Sequence, residues 1–232
     1  MTGTILITGS NRGIGLELAT RYAAEGWRVL ACCREPGRAE NLRMACESTA
    51  GQMSIHALDV TDNDRIRMLA RELDGVIIDI LFNNAGVRGG DHQSFGDTDI
   101  DTWLQTFRVN TIAPLKMAEA FIEHLAASRR PVIATMGSVM GSMAENTSGS
   151  QYIYRSSKAA VHMVGRCLAQ DLRSRGIISV LFHPGWVNTD MGGPDAPLSP
   201  TESAAGLRRV LKGLRPEDSG KFFDFQGNER PW

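Results

Sequence analysis

Tyr154 and Lys158 stand four residues apart in the run Tyr154-Arg155-Ser156-Ser157-Lys158. Ala159, Ala160, Met163, Val164, Cys167, Leu168 and Leu172 recur behind them at helical spacing, and Gly176 supplies a C-terminal stop. On a helix, that separation sends both side chains off one face. An ammonium beside a phenol favours the phenolate and lowers its pKa. A phenol tuned in this way can pass a proton near neutral pH. Taken alone, Tyr-x-x-x-Lys is a common surface pair on an amphipathic helix, so its surroundings decide the reading.

The second chemical feature is Thr8-Gly9-Ser10-Asn11-Arg12-Gly13-Ile14-Gly15. It joins the first apolar stretch to the first helical pattern. Glycines there let the backbone turn tightly and approach a pyrophosphate, and a helix N-terminus offers free amides with partial positive charge. The spacing is GxxxGxG, not the commoner GxGxxG, and a plain structural turn is the bland alternative. In the NAD-binding arrangement an acid near the end of the second strand holds the ribose 2′-hydroxyl. Here that stretch ends Cys32-Cys33-Arg34, with Glu35 next. Arg34, with Arg12, suits a 2′-phosphate, because guanidinium matches phosphate geometry. NADP is therefore favoured over NAD, with Glu35 as the dissenting residue.

The elements that must position these groups can be read in order. Strands are expected at Thr4–Thr8, Trp27–Cys33, Met53–Leu58, Val76–Phe82, Val132–Met136, Ile178–Phe182 and near Lys221–Phe225. Helices are expected from the glycine loop to Gly26, from Pro36 to about Ser48, and from a capping box at Thr61 and Asp64 to about Leu73. Further helices run from Thr98 or Asp99 to about Ala127 with a kink at Pro114, from Tyr154 onward, and over Thr201–Leu214. Strands alternating with helices predict an α/β fold: one doubly wound parallel sheet of about seven strands with helices on both faces, as a single domain over 1–232. In such sheets ligands bind beyond the carboxyl ends of the strands. That rule selects the loops after Thr8, Cys33, Leu58, Phe82, Met136 and Phe182.

Composition narrows the function. The chain has 232 residues, 42% hydrophobic and 22% charged, with a net charge of −1. That balance gives no reason to expect nucleic acid or an anionic membrane as partner. Cys32, Cys33, Cys46 and Cys167 form no CxxC pair and no cluster with metal spacing, so reduced thiols in a cytoplasmic protein and no metal are expected. No basic region followed by an apolar one opens the sequence, and the longest apolar runs are far too short to span a bilayer.

With Tyr154-x-x-x-Lys158 and the Gly9, Gly13, Gly15 loop both present, the chain resembles the short-chain dehydrogenase/reductase superfamily over nearly its whole length. The resemblance implies a Rossmann-type fold. It makes Asp59-Val60 an adenine-binding pair, and Asn83-Asn84-Ala85-Gly86 a motif that steadies the sheet and lines the adenosine side. It makes Asn110 and Ser138 catalytic partners of Tyr154 and Lys158. It makes Pro184-Gly185 the turn before a nicotinamide site, with Val187 and Thr189 against the carboxamide. Ser138 precedes Tyr154 by sixteen residues, a longer spacing than many members show, and Ser142 is a rival. The pattern Gly-Ser-x-x-Gly directly after a strand favours Ser138. The long loop with Asn146-Thr147-Ser148-Gly149, the segment around Tyr152 and Tyr154, and the ending Gly220 to Trp232 are similar to the C-factor and Sniffer-type carbonyl reductases.

The implied chemistry is carbonyl reduction. The cofactor gives a hydride, Ser138 holds the substrate oxygen, Tyr154 gives the proton, and Lys158 lowers the tyrosine pKa and holds the nicotinamide ribose. Asn110 holds a water that links Lys158 to solvent. Met140, Met143, Tyr152, Trp186 and Met191 near the expected mouth suggest a hydrophobic or aromatic ketone or aldehyde, which an anion held by Arg88 would contradict. Two rivals stand beside this: an alcohol dehydrogenase using NAD, and a dinucleotide-binding signalling protein with little turnover. A homodimer or homotetramer is expected by resemblance.

Overall fold

The computed structural model describes residues 2–232. β1 (Thr4–Thr8) turns through the glycine loop into α1 (Gly13–Ala24). Then come β2 (Arg28–Cys33), a 3-10 turn at Pro36–Arg38, α2 (Glu40–Glu47), β3 (Met53–Ala57), α3 (Asn63–Glu72) and β4 (Ile80–Asn83). A small hairpin of β5 (Gln93–Ser94) and β6 (Asp97–Thr98) leads to α4 (Ile100–Phe107) and a π-helical turn at Arg108–Ile112. α5 (Ala113–Ala120), α6 (Ile122–Ala126), β7 (Val132–Met136), α7 (Tyr152–Asp171), β8 (Ile178–His183), α8 (Pro200–Gly213) and β9 (Phe222–Asp224) complete the order.

β1–β4 and β7–β9 form one parallel sheet of seven strands, ordered β3-β2-β1-β4-β7-β8-β9. The direction of winding reverses between β1 and β4, which opens a crevice at their carboxyl ends. Strand residues alternate between two cores, as the two-residue period of a strand requires. Ile5, Ile7, Val29, Ala31, Ile80 and Phe82 face α1 and α8; Leu6, Leu30, Cys32 and Leu81 face the layer of α3 and α5. Burial on both faces explains why these strands read as unbroken apolar runs.

Three local expectations are corrected. The fourth strand begins at Ile80, not Val76. The residues before it climb out of α3: the Val76 amide donates to Leu73 and the Ile78 amide to His124, while Asp79 accepts from the Thr4 amide at 2.7 Å. Asp62, not Thr61, caps α3, taking the Arg65 amide at 2.9 Å, and Thr61 is held instead by Asp59. The long helix expected after Asp99 is broken twice, at the π turn and at Phe121. Pro114 accounts for the first break. It has no N–H for the carbonyl of Asn110, and the chain widens so that the Ala113 amide reaches Arg108.

Candidate active site

The glycine loop has the shape of an anion cradle. Gly9 and Gly13 take positive φ (68° and 54°), a region side chains rarely occupy. Gly15 has no room for a side chain: a Cβ would lie 2.3 Å from the Gly9 carbonyl and 2.5 Å from Asn84 Nδ2. No side chain caps α1 and its first turn carries no acid, so its leading amides remain available to a phosphate. Asn84 ties the loop to β4: Nδ2 donates to the Thr8 and Gly9 carbonyls at 3.0 Å, and the Thr8 hydroxyl accepts from the Asn84 and Ala85 amides. Ser10 is buried and bonded to the Ile7 carbonyl, whereas Asn11 is exposed and Ile14 half-buried. Asn83 turns its side chain towards Pro114 and Thr135, bracing the sheet beside Val60 and Ala85. These residues fit a dinucleotide pyrophosphate.

At the far end of the cleft, Glu35 is paired with Arg38 at 3.1 Å, and Arg34 is exposed without an acidic partner among the described residues. Arg12, expected beside Arg34, is instead paired with Asp190 at 2.7 Å, which straps the glycine loop to the segment after β8. Asp59 is exposed and bonded to Thr61, next to buried Val60. Gly86 is half-buried beside Asn110 and Lys158.

Ser138, Tyr154, Lys158 and Asn110 converge. Tyr154 and Lys158 lie one turn apart on α7. Gly141 docks the Ser138 turn against that helix, since a Cβ there would sit 2.6 Å from the Lys158 backbone carbon. The turn brings the Ser138 side chain beside Tyr154, with Ser138 Oγ accepting the Met140 amide at 3.1 Å and Ser142 Oγ the Glu145 amide at 3.2 Å. Burial pushes the Tyr154 phenol above its ordinary pKa, and Ser138 and Arg88 act to lower it. The net direction is upward. The Lys158 ammonium donates to the Met136 carbonyl at 2.8 Å, and burial brings its own pKa down to about 8. Asn110 clamps the Val87 backbone, accepting its N–H and donating to its carbonyl at 2.9 Å, and donates to Ser157 at 3.0 Å. One Oδ1 lone pair remains. A Cβ on Gly86 would be 3.4 Å from Asn110 Oδ1 and 3.7 Å from Lys158 Nζ, so both atoms border one gap.

A family model described as short chain dehydrogenase matches residues 3–197. The chain belongs to the short-chain dehydrogenase/reductase superfamily. It is 48% identical to C-signal of Myxococcus xanthus over 155 residues, 67% of this chain and 93% of that one. Its structure is similar to NADPH-bound carbonyl reductase from chicken fatty liver, with a TM-score of 0.92, 31% identity and coverage of 100% and 99%. It is also similar to the carbonyl reductase Sniffer of D. melanogaster, with a TM-score of 0.93, 29% identity and both chains fully covered.

Around the mouth of this dehydrogenase, Trp186 and Met191 are exposed and Met140 is half-buried. Tyr152 is also exposed, but two residues before Tyr154 means roughly 200° around the helix, so it leaves the opposite side. The segment after Pro184-Gly185 is irregular. It is held by a bridge between Val187 and Leu198 and by a turn in which Thr189 takes the Gly192 amide at 3.2 Å. Thr189 also reaches the glycine loop, 3.2 Å from where a Gly13 Cβ would be.

Two residues of the site escaped the sequence reading. Gln93 caps α7 from the hairpin, accepting the Tyr154 amide at 2.9 Å and donating to the Arg88 and Gly90 carbonyls. His162 accepts the Ser138 amide at 3.3 Å. Gln93 lies 61 residues from its partner and has no local signature. His162 had one: it continues the Tyr154, Lys158 series at four-residue steps. No helix among the described residues is long and apolar enough to cross a membrane, and no group of His, Cys, Asp and Glu there could hold a metal ion.

Proposed function

We propose that this dehydrogenase reduces hydrophobic or aromatic ketones and aldehydes with NADPH, as one domain, through Ser138, Tyr154, Lys158 and Asn110. The observation that carries the reading is the docking of the Ser138 turn on α7, which sets Ser138 beside Tyr154, one helical turn from a buried Lys158. The glycine loop and the leading amides of α1 would hold the pyrophosphate, and Arg34 the 2′-phosphate. Asp59, Val60, Ala85 and Gly86 would line the adenosine side, and Pro184, Gly185, Val187 and Thr189 the nicotinamide side. The pairing of Glu35 with Arg38 supports NADP, as does the NADPH bound by the chicken liver enzyme. When bound, the nicotinamide supplies the hydride.

This chain's residues then manage one oxygen and one proton. Ser138 donates to the substrate oxygen and stabilises charge as it develops. Tyr154 gives its phenolic proton to that oxygen. Lys158 stabilises the tyrosinate left behind, and the gap it shares with Asn110 accommodates a water through which the proton is replaced. Met140, Trp186 and Met191 offer an apolar mouth. Exposed Ile100 and Leu104 on α4 and Met163 on α7 suit a homodimer or homotetramer, which light scattering would settle. Free cysteines suit a reducing cytoplasm.

The test is turnover of a panel of ketones and aldehydes with NADPH and NADH, with Tyr154→Phe as control. Activity with NADPH on apolar carbonyls is expected. A second reading, a signalling protein that binds the cofactor with little turnover, has the match to C-signal behind it. Tight NADPH binding without turnover on any carbonyl would favour it.

A further inference from the structure

We propose that His162 is the positioning residue for Ser138, and that Trp232 holds His162 in place. This rests on Ser138 being the group that meets the substrate oxygen. His162 stands one turn beyond Lys158 on α7 and is 4% exposed. Its Nε2 accepts the Ser138 backbone N–H at 3.3 Å. A backbone amide can only donate, so Nε2 is the bare nitrogen and the ring proton sits on Nδ1. Gly137 makes the approach possible: a Cβ there would fall 2.6 Å from Nε2. The Ser138 turn is thus held to α7 at two points, by Gly141 against the Lys158 backbone and by the Ser138 amide on His162.

Nothing polar holds the other side of the ring, because Nδ1 is buried without a partner. Aromatic packing holds it instead. The imidazole lies 4.5 Å from the Phe222 ring and 5.5 Å from the Trp232 ring, the latter edge to face, and those two rings stack at 5.7 Å. Trp232 is anchored in turn to the same serine loop, its carbonyl accepting the Ala144 amide at 3.0 Å. Arg230, beside it, donates its amide to Phe222 at 2.7 Å and pairs with Glu145 of that loop. The segment after β9 therefore closes over the serine loop and seals His162 from water. The charged and titratable groups facing the ring are Lys158 on its own helix and His183 on β8, the latter beside Asp224 and Arg230. Burial, Lys158 and His183 bring the His162 pKa down to about 3, so the imidazole is neutral and an acceptor near neutral pH.

Imidazole nitrogen NMR tests the contact without turnover. The Nδ1–H tautomer, unchanged between about pH 5 and 9, is expected; an Nε2–H tautomer or a titration in that range overturns the proposal. In kinetics, His162→Leu should lower kcat about 3- to 10-fold, the worth of one hydrogen bond, with the NADPH Kd unchanged. His162→Gln, whose Oε1 can take the place of Nε2, should restore most of it. In a Ser138→Ala background, His162→Leu should cost almost nothing further. A full additional loss there, or a Gln variant no better than Leu, overturns the proposal. Trp232→Ala should speed hydrogen exchange at the Ser138 amide and Trp232→Phe should not; unchanged exchange in Trp232→Ala removes the tail from the scheme. A wild type inert on every carbonyl would sink the reaction proposed above, while the tautomer and the amide exchange still judge the contact.

Discussion

Lys158 donates a hydrogen bond to the Met136 carbonyl at 2.8 Å, while its Nζ stands 5.8 Å from the centre of the Tyr154 ring. The backbone of β7 thus anchors the cation beside the phenol.

The first prediction follows from that buried charge. The Lys158 pKa falls from 10.5 to about 8 on folding. Between those values the unfolded chain keeps the proton and the folded chain has lost it, so stability rises with pH across that window. Below the window the folded state bears the whole cost of the buried cation. Lys158→Met should therefore lose at least about 100-fold in turnover yet melt about 2–8 °C higher than wild type at neutral pH. The gap should narrow as pH rises through the window and wild type sheds its proton. Calorimetry across pH reads this, and a variant that melts lower at neutral pH contradicts it.

Tyr154→Phe should lower kcat by roughly 10²–10⁴-fold, the usual loss for a positioned acid, with NADPH still bound. Tyr154 is half-buried and its backbone amide is held by Gln93, so the ring should stay where it is when the hydroxyl is removed. Full activity in this variant would refute the assignment of the proton donor.

Arg34→Ala should weaken NADPH by roughly 1.5–3 kcal/mol, the worth of a hydrogen bond to a charged group, and leave NADH nearly unchanged. Glu35 is occupied by Arg38, so the loss of Arg34 does not free an acid for the ribose. Titration of both cofactors decides it; equal losses would mean that Arg34 does not read the 2′-phosphate.

Gly141→Ala should destabilise the protein by about 1–3 kcal/mol, as overpacking does, and lower kcat further than that loss of fold accounts for. The added methyl would meet the Lys158 backbone at 2.6 Å, and the neighbour is backbone that cannot swing aside. The Ser138 turn must lift. Chemical denaturation together with kcat on the folded fraction separates the two effects.

Much of the scaffold was legible from residue order. Apolar runs buried on both sheet faces marked the strands, and glycines at Gly9, Gly13 and Gly15 marked the turn before α1. Errors gathered where two short-range options compete. Thr61 and Asp62 both have capping side chains, and the backbone chose Asp62 because Asp59 had already taken Thr61. Pro114 was read as a kink, but whether a proline bends a helix or widens it into a π turn depends on packing around Asn110. The pairing of Arg12 with Asp190, 178 residues away, leaves no trace in the residues near either one.

The spacing of Tyr154 and Lys158, the place of the glycine loop and the succession of strands and helices are properties of the sequence alone, since they follow from covalent geometry over a few residues. The sign of the Tyr154 shift and the seat of His162 under Trp232 belong to the tertiary structure. Each depends on which distant groups exclude water and which donors they leave free. A pKa is set by the dielectric and the charges around a group, and those exist only once the chain has closed over it.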